Sequence, residues 1–350
     1  MSGASIKPLR PLHSKTVETP YSANRRYPSG ISVDILYCFP LDNTVNGWAY
    51  FVNTAQLSTL RYGPVVNPHS ETKPDATVIK GRHRMADGAW LSTTLRVHPH
   101  QHAPKIALIH SLALDRYVWE FVAERLALHY TVLTYDCRGH GDSTKAPGPY
   151  CVEQFANDLR GLFAALGWDS ASVAGCSMGG SVALTFAGLY PQHVRALALV
   201  DTTAWYGPEA PVRWEERAQK AEREGIASLV EFQRRRWFTE AFLETHASVV
   251  EHCVQTFLAN DIPAYAATCR LLGALDARPL LGDIHVPTAI LVGEEDYATP
   301  PAMAGALHTA LLNSTLTVVP KGRHLLPLER PDVVADAIAA LPRSVDQERP

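Results

Sequence analysis

The sequence predicts an α/β fold: a doubly wound, mostly parallel sheet with a helical lid insertion and an N-terminal extension. Three observations carry this expectation. Short, nearly all-apolar runs recur at 106–109, 132–135, 172–175, 196–200, 289–292 and 316–319, as parallel strands buried on both faces require. Helical patterns alternate with these runs, which is the order of βαβ units. One long interval, 205–282, breaks the alternation with helical segments and no convincing strand pattern.

Composition sets the outer bounds. The chain has 350 residues, 46% of them apolar and 19% charged, so it can bury a large core. Its formal charge of −3 leaves no basic field for nucleic acid or an anionic membrane. The six cysteines are scattered without a CxxC pair, which favours reduced core thiols and a cytoplasmic location over a disulfide framework or zinc site. No run reaches ~18 uninterrupted apolar residues, so neither a signal peptide nor a membrane span is expected.

Along the chain, residues 1–75 form the predicted extension. Residues 1–30 are rich in Pro, Ser and basic residues and read as a flexible arm. Residues 31–66 carry apolar and aromatic runs with a turn signal at Asn46-Gly47 and read as a small β-type appendage, and 67–75 as a linker. The core is predicted over 76–204 and 283–342, with the lid at 205–282. It opens with a hairpin turning at Asp87-Gly88. Phe155, Leu159, Leu162 and Leu166 follow helical spacing, and Gly167 stops that helix. Pro331 opens a last helix with Val334, Ile338 and Leu341 on one face.

Gly175-Cys176-Ser177-Met178-Gly179 fits G-x-S-x-G. Chance alone supplies roughly 0.1 such matches in a chain of this length, but here a strand run precedes and a helical run follows. A strand-to-helix elbow brings the residues two before and two after the serine together, so only glycine fits, and it exposes the serine oxygen. A serine hydroxyl needs a base. His324, in Lys321-Gly322-Arg323-His324, follows the last strand run. The base needs an acid. Glu294-Glu295-Asp296 follows the preceding strand, and Asp296 is preferred because Thr299 and Pro300 complete G-x-x-D-x-x-T-P; Glu295 is the alternative. The oxyanion of an acyl transfer needs N–H donors worth roughly 3 kcal/mol each. Met178 N–H follows the serine, and Leu112 N–H, in the loop after 106–109, is the second candidate. His110 reads as a brace for that loop, Cys176 as a thiol turned from the solvent edge, and His98, His100 and His102 as a solvated loop rather than a metal site. Arg234-Arg235-Arg236 lies in a stretch of mixed charge and reads as a solvated lid face or an anion holder. The chemistry asks for no cofactor and no metal.

Asp136-Cys137-Arg138-Gly139-His140-Gly141-Asp142-Ser143 resembles the D-x-R-G-H-G-x-S segment of α/β-hydrolases of the esterase, haloperoxidase and enol-lactonase type. His110 to Asp115 with Trp119 is similar to the oxyanion loop of 3-oxoadipate enol-lactonases, and Gly175 to Gly180 to their nucleophile elbow. Arg236-Trp237-Phe238-Thr239, Ala241-Phe242 and Tyr265-Ala266-Ala267-Thr268-Cys269 resemble their lid. The resemblance covers about residues 80–342. It departs at Ala113, where the family commonly has glycine, and the first ~75 residues have no counterpart.

The resemblance implies hydrolysis of a small carboxylated lactone or ester in aromatic compound degradation. It further implies a cation for the substrate's carboxylate. Arg236 is the first candidate, beside the inward-facing bulk of Trp237 and Phe238; Arg213 and Arg270 are weaker. The alternatives are a C–C bond hydrolase of ring-cleavage diketones, a general carboxylesterase, and a non-catalytic binding module on the same fold. The expected partner is a small-molecule substrate; nothing in the sequence fixes the oligomeric state.

Overall fold

A computed structural model describes residues 22–26, 32–36 and 76–342. Nearest the N-terminus, β1 (Ser22–Arg26) and β2 (Ser32–Leu36) pair antiparallel, with Ser22 opposite Leu36. β1 falls within the stretch read as an arm: its polar sequence carries no apolar alternation, and its pairing comes from the partner strand. The run at 48–52 and the linker at 67–75 lie outside the described residues.

The main sheet has eight strands. β3 (Thr77–Arg84) and β4 (Trp90–Val97) form the opening hairpin, with Gly88 at φ 92° in its turn. Then come β5 (Lys105–Ile109), β6 (Thr131–Tyr135), β7 (Ala171–Cys176), β8 (Val194–Val200), β9 (Thr288–Gly293) and β10 (Ser314–Val319). The order is β10-β9-β8-β7-β5-β6-β4-β3. Pairing is parallel from β6 through β10 and antiparallel at β4/β6 and β3/β4. β5 and β7 are therefore neighbours although β6 lies between them in sequence. That reversal of strand order opens a crevice at their carboxyl ends, where ligands of open α/β sheets bind.

Helices cover the sheet: α1 (Glu120–Leu126), α2 (Val152–Leu166) and α3 (Met178–Leu189). α2 buries Phe155, Leu159 and Leu162 and ends at Gly167 with φ 65°, the left-handed cap that glycine adopts without strain. After β8 the chain forms five helices: α4 (Ala210–Glu224), α5 (Val230–Trp237), α6 (Glu240–Thr245), α7 (Ala247–Leu258) and α8 (Ile262–Ala274). Their base is closed by a bridge between Trp205 and Asp276 and by Ala277 N–H donating to Ala204 O at 2.9 Å. α9 (Pro301–Ala310), α10 (Leu326–Glu329) and α11 (Pro331–Ala339) complete the chain, and α11 buries Val334 and Ile338.

One expectation needs correction. β10 is not buried on both faces: Thr315, Thr317 and Val318 are exposed, because β10 is the sheet's edge strand. Among the described residues, no helix is long and apolar enough to cross a membrane.

Candidate active site

The elbow is built by close backbone approach. A β-carbon on Gly175 would sit 2.1 Å from Gly179 O, and one on Gly179 would sit 2.1 Å from Ile109 O, so neither position admits a side chain. Ser177 stands between them at φ 55°, ψ −118°, a strained conformation for a non-glycine residue. Its backbone is held from both sides: Ser177 N–H donates to Val200 O (2.9 Å), and Thr202 Oγ1 donates to Ser177 O (2.6 Å). Cys176 is fully buried, its Sγ 3.8 Å from His324 O, and burial pushes its thiol up.

Three loops from three strands converge here. His324 Nε2 lies 2.8 Å from Ser177 Oγ, and His324 Nδ1 lies 2.8 Å from Asp296 Oδ2. Asp296 also accepts from Ala298 N–H (2.7 Å), Thr299 N–H (3.0 Å) and the Thr299 hydroxyl (2.8 Å). Burial alone would raise its carboxyl, but the His324 ring and these donors outweigh it and hold the group below the ordinary range. Of the three adjacent carboxylates only Asp296 faces the histidine. Glu294 accepts Lys321 N–H (3.0 Å), and Glu295 lies 3.5 Å from Arg323 Nε.

The loop after β5 brings Ser111 and Leu112 to the same cavity as Ser177. Met178 is the first residue of α3, so its N–H has no carbonyl one turn back. Leu112 N–H has no acceptor among the described residues. Ala113 adopts φ 59°, the left-handed region, which explains why glycine suits this position. Its carbonyl accepts from Asn260 Nδ2 of the lid at 2.8 Å.

His110 is a brace. Its Nε2 accepts Cys137 N–H (2.8 Å), which leaves Nδ1 to donate to Ser111 O (2.7 Å); burial lowers its pKa to about 4. The D-x-R-G-H-G-x-S segment is a second brace: Arg138 forks onto buried Asp158 at 2.7 and 2.6 Å, and Asp136 holds Arg116 and Asp142 N–H. His98 departs from the solvated reading. It is buried, donating from Nε2 to Leu128 O (3.2 Å) and accepting His100 N–H (3.1 Å), because the 98–102 turn folds back on the end of α1. Among the described residues no cluster of three His, Cys, Asp or Glu side chains could hold a metal.

The lid roofs the cavity with Tyr206, Trp214, Arg217, Gln233, Arg236 and Trp237. Within the arginine run, Arg234 and Arg235 pair with Glu231 at 3.3 and 2.9 Å, while Arg236 lies 4.9 Å over the Phe232 ring. Arg213 pairs with Glu209, and Arg270 is forked between Glu215 and Glu222, so both are neutralised away from the cavity. Arg217 escaped the sequence reading. It lies among the rings of Trp214, Phe232 and Tyr265, and its Nε donates to Tyr265 Oη at 2.7 Å. Its signal was positional: Trp214, Arg217, Ala218 and Ala221 share one face of α4, so the cation sits in an otherwise apolar stripe. Neither Arg217 nor Arg236 has a carboxylate partner among the described residues. Burial and the nearby Arg217 charge lower the Arg236 pKa.

The comparisons agree with this architecture. The family model described as alpha/beta hydrolase fold matches residues 104–331. A 3-oxoadipate enol-lactonase from Acinetobacter baylyi is 29% identical over 238 residues, 68% of this chain and 88% of that protein. The crystal structure of the enol-lactonase from Burkholderia xenovorans superposes with a TM-score of 0.71 at 31% identity, covering 74% of this chain and 98% of that one. A thermophilic esterase from Thermogutta terrifontis, with malate bound, gives 0.68 at 31% identity over 75% of this chain and 97% of that one. The chain belongs to the alpha/beta hydrolase fold family.

Proposed function

We propose that this chain is a serine hydrolase of ester bonds whose substrate is a small lactone or ester carrying a free carboxylate, of the 3-oxoadipate enol-lactone type. One observation carries the reading: the Ser177–His324–Asp296 hydrogen-bond chain opens onto the same cavity as two guanidiniums that form no ion pair with a carboxylate among the described residues. A desolvated cation without a partner is costly, and a guanidinium fork matches a carboxylate in shape. The names of the relatives support the class: two are enol-lactonases and one is an esterase with the dicarboxylate malate bound.

The chemistry follows from the geometry. His324 Nε2 takes the Ser177 proton as Oγ attacks the carbonyl carbon. The oxyanion forms against Met178 and Leu112 N–H. Collapse breaks the acyl C–O bond, and His324 returns the proton to the leaving oxygen, which in a lactone stays tethered to the acyl group. Water, deprotonated by His324, then attacks the acyl-enzyme and restores Ser177. Asp296 fixes the histidine tautomer with Nδ1–H and stabilises its charged form. No step requires a cofactor. The reduced cytosol is the compartment proposed for it.

The test is turnover against three substrates: a carboxylated enol-lactone, its methyl ester and a vinylogous ring-cleavage diketone. Preferential opening of the anionic lactone is expected. Preference for the diketone would favour the C–C hydrolase, indifference to charge a general carboxylesterase, and no turnover of any a binding module.

A further inference from the structure

Asp296 and His324 lie on loops after different strands, β9 and β10, yet their hydrogen bond needs both loops placed to a fraction of an ångström. One side chain is bonded to both. Asp201, at the carboxyl end of β8, is fully buried. Its Oδ1 accepts Gly293 N–H at 3.0 Å, three residues before Asp296. Its Oδ2 accepts Leu326 N–H at 3.0 Å, two residues after His324. Asp201 is itself fixed, its N–H donating to Leu291 O (2.9 Å) at φ 49°, a left-handed conformation that Asp tolerates better than most residues. The next residue, Thr202, bonds the Ser177 carbonyl at 2.6 Å. Residues 201–202 thus touch all three loops that meet at the hydrogen-bond chain.

We propose that Asp201 is a positioning residue that sets the placement of the acid loop relative to the base loop by clamping one backbone N–H of each. The proposal rests on the reading of Ser177, His324 and Asp296 as the triad. Asp201 does not act as a spare acid: both its oxygens are occupied, and His324 Nδ1 is taken by Asp296. The Asp201 side chain offers one oxygen to each N–H group, and the two donors oppose the upward push that burial and the Asp296 charge give its carboxyl. An amide in its place would turn an NH2 toward one of the two N–H groups and break that bond, leaving the loops joined only by their direct bonds, such as Glu295 N–H to Gly322 O at 2.9 Å.

The experiment compares wild type, Asp201→Asn, Asp296→Asn and Ser177→Ala on a neutral chromogenic ester. Asp201→Asn is expected to fold, to keep KM within about threefold and to lose kcat by about 10- to 100-fold, as loosened alignment of reacting groups predicts. The downfield proton NMR signal of the His324 Nδ1–H, which reports the bond to Asp296, should shift or broaden. A folded Asp201→Asn enzyme with unchanged kcat and unchanged signal overturns the proposal. If Asp201→Asn does not fold, Asp201→Ser, which retains one acceptor, takes its place; failure of both while Asp296→Asn folds makes Asp201 structural only and also overturns it. An active Ser177→Ala would instead overturn the triad reading beneath it.

Discussion

The floor and the roof of the cavity are made in opposite ways. The floor is backbone geometry: Gly175 and Gly179 admit no side chain, Ser177 is held at φ 55° with Met178 opening the helix after it, and Leu112 lines the cavity beside Ser177. The roof is side-chain chemistry: Arg217 and Arg236 on two lid helices, with Trp214, Gln233 and Trp237. On the proposed reading, the floor fixes which reaction occurs and the roof which molecule meets it. Changes to the floor should act on every substrate alike, and changes to the roof should discriminate among substrates.

The largest expected effect is on the floor. Ser177→Ala should leave the fold intact and cut turnover by on the order of 10⁴ to 10⁶ on all substrates; near wild-type turnover in a folded variant would break the assignment. Asp296→Asn should follow, with kcat down by about 10⁴, while Glu295→Gln stays within a few-fold, because of these two carboxylates it is Asp296 that bonds the histidine. The reverse ranking would move the acid to Glu295.

The roof should behave differently. Arg217→Ala and Arg236→Ala should each cost roughly 2 to 5 kcal/mol in kcat/KM on an anionic lactone if the pair is desolvated, with little change on its neutral methyl ester. Equal losses on both substrates would remove the carboxylate from the account.

The smallest effect concerns stability. His110 is buried as the neutral ring with its pKa at about 4, below the unfolded value near 6.5. Its contribution is complete above about pH 6.5 and is lost as pH falls toward 4. Between pH 7 and 5 that loss is roughly 2 kcal/mol. His110→Asn should flatten the fall in Tm over this range relative to the parent; parallel melting curves would contradict it.

The floor was legible in the sequence because backbone constraints restrict residue identity. Glycines two before and two after Ser177, and Thr299-Pro300 after Asp296, leave marks at fixed spacing. The roof was legible only where it adjoined such a mark, as Arg236 adjoins Trp237. Which arginine faces the cavity depends on which are neutralised. Arg213 and Arg270 are withdrawn by Glu209, Glu215 and Glu222, and the partners of Arg270 lie 55 and 48 residues away. Arg217 was readable in principle as a cation in the apolar stripe of α4. β1 and the exposed face of β10 were missed for one reason: strand pairing and sheet position belong to the assembled sheet, and no local pattern encodes them.

The most direct test is covalent capture. The enzyme is treated with a fluorophosphonate, which reacts with an activated serine, and its peptides are read by mass spectrometry. One adduct is expected, on Ser177, formed far more slowly in His324→Ala and blocked by a carboxylated lactone more effectively than by its methyl ester. Labelling of a different serine, or none in folded wild-type protein, would contradict the account.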